Sequence, residues 1–163
     1  MRTPLILLGL VWIAFLVVFP FAAMGDTSFL HIGFHLVQMP LLVTATVLAW
    51  RYRRAAVTRT QRVLGWVLSV SLPAAVVGVV LELVTAVVRL GEDGWVNKDT
   101  ADVWERGPHA LVASLTVPSL MVSMLAVLAL VATTAVQGRR HAETDGPGQS
   151  SPTTAVVTHH AEQ

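Results

Sequence analysis

Four long apolar stretches limit what this chain can become: Pro4 to Met24, Phe29 to Trp50, Val63 to Leu90 and His109 to Val136. A helix needs roughly 20 apolar residues to cross a hydrocarbon core of about 30 Å. The first two stretches, of 21 and 22 residues, meet that length directly. The other two, of 28 residues each, have enough length to tilt, kink or project into the headgroups. Strands are a poor alternative. A membrane barrel needs segments of about 10 residues that alternate apolar and polar, whereas these runs are continuously apolar. Backbone groups in lipid must also be satisfied within the protein, which a helix does by itself. The expected fold class is therefore all-α, a four-helix transmembrane bundle over residues 1–138. Its helices are expected at 4–24, 29–50, 63–90 and 109–136.

Composition agrees. Charged residues make up 13% of the chain, against about 25% in an average soluble domain, and mean hydropathy is +0.65. A net charge of +1 offers no bulk basic character for nucleic acid. The absence of cysteine excludes disulfides, thiolate metal sites and cysteine nucleophiles. Ten of the eleven basic residues are arginine, which points to a GC-rich bacterial genome. Residues 139–163 change character. Thr144 to Thr154 is rich in Gly, Pro, Ser and Thr, and a disordered cytoplasmic tail is expected there.

The loops suggest an orientation. Arg51, Arg53, Arg54, Arg59 and Arg62 fall between the second and third stretches with no acid among them, and Arg139 and Arg140 follow the fourth. The connection from Gly91 to Pro108 carries Glu92, Asp93, Asp99, Asp102 and Glu105 against Lys98 and Arg106. Short loops rich in arginine stay cytoplasmic, so both termini are expected inside, in the plasma (inner) membrane. Trp50, Tyr52 and Trp66 fall where the inner aromatic belt is expected, and Trp95 and Trp104 in the outer loop. The first stretch resembles a signal peptide in its basic start at Arg2. It exceeds the usual 7–15 residue apolar region of one and lacks a small-x-small cleavage triplet, so it is read as a span.

Ionisable residues within spans are costly and tend to mark function. Here they are His31 and His35 in the second helix, Glu82 and Arg89 in the third, and His109 opening the fourth. At 1.5 Å per residue, His35 and Glu82 lie roughly 9 and 12 Å below the outer ends of their helices. His31, Arg89 and His109 are expected near the outer surface. Each polar residue shares a helical stripe with small or hydroxyl neighbours. The stripes are His31, His35, Gln38, Leu42 and Thr46; Ser71, Ala75, Gly78, Glu82, Ala86 and Arg89; and His109, Ala113, Thr116, Leu120 and Ser123. Small residues let membrane helices approach closely, so the three stripes are expected to face one another. The first helix, without charge, becomes the lipid-exposed flank. Pro40, Pro73 and Pro118 sit near the middles of three spans, where a proline tends to kink a helix.

Three readings of the polar residues stand open. In the first they are structural. Glu82 pairs with a histidine or with Arg89, His31 and His109 sit wet at headgroup level, and the chain is an accessory subunit packing in the bilayer against a larger complex or a second copy. In the second, His31 and His35 at i, i+4 point two imidazoles at one ion, and His109 and Glu82 complete the ligands. Three imidazoles and a carboxylate suit zinc or copper, and His35 with His109 could instead flank a haem. The H-x-x-x-H spacing lacks the glutamate of a zinc protease, and no other catalytic motif is present. In the third, buried Glu82 and His35 form a protonatable pair in a small proton- or ion-coupled transporter.

Overall fold

A computed structural model describes residues 2–24, 27–96 and 107–144. The described residues are helical throughout apart from short connections. Their helices are α1 (Arg2–Leu16), α2 (Val18–Ala23), α3 (Ser28–Ala55), α4 (Arg59–Glu92) and α5 (Pro108–Thr144). Four helical stretches, with α1 and α2 counted as one, are long and apolar enough to cross a membrane.

The first span is interrupted at Val17, and the cause lies in Pro20. Its missing N–H leaves the Leu16 carbonyl without a helical donor, and its ring crowds that same carbonyl four residues back. Pro40, Pro73 and Pro118 behave differently, since each stays inside an uninterrupted helix.

Helices α3, α4 and α5 outrun their apolar stretches, because hydropathy marks the apolar length and not the helix end. Arg51, Arg53 and Arg54 continue α3 past Trp50, as good helix formers do in a polar environment. At the start of α4, Thr58 Oγ1 accepts the Gln61 backbone N–H at 3.3 Å, and Gln61 Oε1 accepts the Thr58 N–H at 3.5 Å. This reciprocal capping box sets the helix start at Arg59. The other end of α4 closes in a Schellman turn. Trp95 N–H donates to the Leu90 carbonyl at 2.8 Å and Gly94 N–H to Gly91 at 3.1 Å. Gly94 takes φ +74°, the left-handed conformation that glycine adopts without strain. Helix α5 runs through Gly138 to Thr144. The tail beyond 144, and Trp104 with the acidic residues Asp99, Asp102 and Glu105 of the connection between α4 and α5, lie outside the described residues.

The core is built from α3, α4 and α5, with α1 packed on α3 and α5. The expected stripes do face one another: Ser71 of α4 and Ser123 of α5 share a hydrogen bond of 2.7 Å. The apolar stretch of α1 is 22% buried, against 33–44% for the others, so it is the most exposed of the four. Gln38 Nε2 of α3 ties it in by donating to the Ala14 carbonyl at 3.0 Å.

Helices α4 and α5 approach closely at Gly78. A Cβ there would meet Thr116 Oγ1 and would stand 3.1 Å from the Thr116 backbone Cα. At the opposite end of the bundle from the histidines, Gln61 Nε2 donates to Gln137 Oε1 at 2.8 Å. Gln137 Nε2 in turn donates to Thr58 Oγ1 at 3.4 Å. Both arginine-rich segments therefore sit at one end. There the Arg53 guanidinium lies 3.9 Å from the centre of the Trp66 ring, a cation–π contact.

Gly78→Val forces α4 and α5 apart where Gly78 meets Thr116. It is expected to cost about 1–3 kcal/mol, the usual penalty of overpacking, read as a lower unfolding midpoint in detergent. Gly9→Ala meets nothing within 4 Å and is expected to leave the midpoint unchanged or slightly raised.

Candidate metal centre

Three helices deliver one cluster. His31 and His35 are successive on the inward stripe of α3. His109 follows Pro108 in the first turn of α5, where the proline opens the helix without losing a backbone bond. Glu82 reaches the same point from the far third of α4. His35 is fully buried, and His31, His109 and Glu82 are 3%, 2% and 4% exposed. This departs from the expectation that His31 and His109 sit wet at headgroup level. The helices are close enough here to remove water from both rings.

The imidazoles meet through their Nε2 atoms. His31 Nε2 lies 2.8 Å from His109 Nε2 and 2.9 Å from His35 Nε2. Glu82 Oε2 stands 3.5 Å from His109 Nε2 and 3.7 Å from His35 Nε2. The rings of His31 and His35 pack edge-on with centroids 4.6 Å apart, and Phe34 lies 4.7 Å from His35. The three histidines form a buried cluster whose ligand atoms all lie within 4.8 Å of one another, a group able to hold a metal ion.

The chemistry of this arrangement can be tested by counting protons. A neutral imidazole Nε2 carries either one hydrogen or one lone pair. His31 Nε2 faces two other Nε2 atoms at hydrogen-bond distance, yet it has one hydrogen or one lone pair to share between them. A cation at the centre removes the conflict, because three lone pairs then point at one acceptor. Bonds of about 2.0–2.1 Å place the ligands of a tetrahedral ion about 3.3 Å apart. The two nitrogen pairs that share His31 are a few tenths of an ångström closer than that, and the carboxylate oxygen stands a few tenths farther from His35 and His109.

A haem between His35 and His109 fits less well. Its plane would pass through the space held by His31 Nε2, which lies in contact with both partners.

Arg89 does not join the cluster. Its side chain is half exposed, with Nη1 3.5 Å from Glu92 Oε2 and Nε 4.0 Å from Asp93 Oδ2. Of the two partners open to Glu82, the histidines stand beside it, and Arg89 lies with the acids at the end of α4. Two turns of helix separate Glu82 from Arg89, and the arginine reaches the acids beside it first. The sequence stripes also left Phe15, Val18 and Phe34 unremarked, although they wall a cavity that Glu82 and Gln38 line. Their only sequence signal was being aromatic or apolar, which they share with most of the chain.

No family model, no curated protein and no solved structure matches this chain. Its functional reading rests on the geometry above.

Arg89→Ala removes only exposed pairs, which contribute at most about 1 kcal/mol. It is expected to lower stability by no more than that in a denaturation series in detergent. A loss several times larger would mean that Arg89 reaches the buried glutamate.

Proposed function

We propose that this chain is a metal-binding integral membrane protein, in which His31, His35 and His109 supply three nitrogen ligands and Glu82 the fourth. The carrying observation is the convergence of three buried Nε2 atoms whose positions would let them share one ion. Neutral imidazole with one carboxylate suits zinc or copper among the common ions. The carboxylate also lowers the net charge of a divalent ion held away from water, where charge is costly. Four protein ligands leave no open position for a catalytic water, so the site holds an ion and does not activate a nucleophile.

The hydroxyl and amide contacts between α4 and α5 support a second reading, in which the same cluster is the polar glue of an accessory subunit. Metal analysis of detergent-purified protein separates the two. The metal reading expects one zinc or copper ion per chain, lost in a His35→Ala, His109→Ala double variant that still elutes as a folded species. Folded wild-type protein without bound metal after equilibration with either ion would leave the glue reading alone. Loading is expected to rise with pH through the range where imidazole gives up its proton, because protonated ligands cannot coordinate. At an ion concentration 100 times Kd, binding adds about 2.7 kcal/mol of stability.

We also propose that the arginine-rich end faces the cytoplasm of a bacterial cell, which puts both termini inside and the metal cluster in the outer half of the plasma membrane. The charge asymmetry of the loops supports this. Because the chain has no cysteine, single introduced cysteines report the sidedness. Glu92→Cys is expected to react with a membrane-impermeant maleimide on intact cells, and Val57→Cys only after permeabilisation. The opposite pattern would invert the topology.

A further inference from the structure

The connection between α3 and α4 gathers charge of one sign. Residues 50–66 hold five arginines and no acid. None of the five forms an ion pair among the described residues. Helical periodicity sorts them by face. Trp50, Arg53 and Arg54 share one face of α3, and Arg59, Arg62 and Trp66 share one face of α4. The two faces join at Arg53, whose guanidinium lies 3.9 Å from the centre of the Trp66 ring and 5.7 Å from that of Trp50. Gly65 permits this contact, since a Cβ there would stand 3.1 Å from Arg53 Cβ and 3.2 Å from its Cα. Trp50 and Trp66 remain 48% and 54% exposed, and Arg54, Arg59 and Arg62 are exposed beside them.

We infer that this patch binds the headgroup of an anionic phospholipid, with Arg53 and Arg62 on the phosphate and the two indoles against the glycerol and the first carbons of the acyl chains. Charge, order and geometry each support that ligand. Guanidiniums gathered without carboxylates repel one another, and a phosphate among them relieves this. Clusters of roughly four to eight basic residues at the end of a membrane helix attract anionic lipid. The order along both helices matches that of a lipid. Trp50 lies one turn nearer the apolar part of α3 than Arg53, and Trp66 one turn nearer that of α4 than Arg62. Guanidinium is thus outermost and indole next to it, at the interfacial level that tryptophan favours. A guanidinium over a ring keeps its in-plane N–H donors, and this planar fork matches two phosphate oxygens at once. A zwitterionic lipid brings the same phosphate, but its ammonium group meets the field of five arginines.

The inference rests on the membrane reading of the four apolar helices and not on which side the arginine-rich end faces. It shares no residue with the proposed metal centre, which lies at the opposite end of the bundle. Diffuse attraction to a negative surface depends on charge alone. A bound headgroup depends also on the shape of the guanidinium, and that difference makes the two separable.

The test titrates the full chain in neutral detergent with dioctanoyl phosphatidylglycerol, dioctanoyl phosphatidylcholine or inorganic phosphate, and native mass spectrometry reads the bound fraction. Phosphatidylglycerol is expected to bind roughly tenfold tighter than phosphatidylcholine, since each arginine near an anionic headgroup contributes about fivefold. The double variant Arg53→Gln, Arg62→Gln is expected to remove that preference. Arg53→Lys with Arg62→Lys keeps both charges and is expected to weaken phosphatidylglycerol several-fold through loss of the planar fork. Arg139→Gln with Arg140→Gln removes as much charge at the same end and is expected to leave the preference in place. Equal affinity for the two lipids would overturn the inference. So would a lysine variant that binds as wild type does, or equal losses in the two glutamine variants, because both are the marks of diffuse attraction. Inorganic phosphate that binds as tightly as phosphatidylglycerol would make a free anion the ligand and overturn the lipid. Alkaline carbonate washing of cell membranes tests the membrane reading by itself. A chain that stays in washed membranes but shows no lipid preference loses the lipid site alone, and a chain that washes off loses both.

Discussion

A polar side chain on a helix long and apolar enough to cross a membrane has few polar partners along its own length, and in this protein that constraint sets which faces of three helices meet. Buried on the inward stripes of α3, α4 and α5 are His31, His35, Glu82 and His109, with Ser71, Ser123, Thr116 and Gln38. Exposing any of them to hydrocarbon costs several kcal/mol. The bundle avoids this by turning all three stripes inward. Ser71 meets Ser123, Gln38 meets the Ala14 carbonyl, and the histidines meet one another and Glu82. Apolar packing alone would not select this arrangement, since lipid tails solvate leucine and valine as well as another helix does.

Close approach is what makes the polar contacts short. Gly78 lets the backbone of α5 come against α4 at Thr116, one turn from Glu82. That contact sets how far the carboxylate of α4 can extend towards the rings of α3 and α5. The capping box at Thr58 and the glutamine pair at Gln61 and Gln137 fasten the other end of the same two helices. The pair α4–α5 is thus clamped at one end and in its middle. His109 enters from the first turn of α5, where the helix has only just formed. The candidate metal centre sits where three helices are held tightly enough to bury imidazoles.

Much of this was readable in the residues. The four apolar runs foretold the helices, and the i, i+4 spacing foretold that His31 and His35 share a face with Gln38 and Leu42. Helix ends were less legible from hydropathy. The Thr58-x-x-Gln61 pattern and the run from Arg51 to Arg54 did carry the signal, because capping and propensity act in the polar region where hydropathy is silent. Pro20 carried the break at Val17, while three other prolines broke nothing. A proline interrupts a helix when the surrounding bundle does not hold it straight, and α1 is the least buried of the four.

What the sequence alone determined is the class of structure and the side on which each polar residue falls, since both follow from periodicity and from the cost of exposing polar groups to lipid. It left the pairing undecided. Glu82 had Arg89 on its own stripe and three histidines on other helices, and nothing in one dimension ranks those partners. The tertiary structure decided for the histidines, by packing α3 and α5 so that His35 and His109 Nε2 reach the carboxylate and His31 Nε2 joins them, while Arg89 keeps to Glu92 and Asp93 of its own helix. The reason is distance. Contacts within a helix are set by its fixed rise and turn, whereas contacts between helices depend on how closely their backbones approach, and here glycine and serine at the interfaces set that approach.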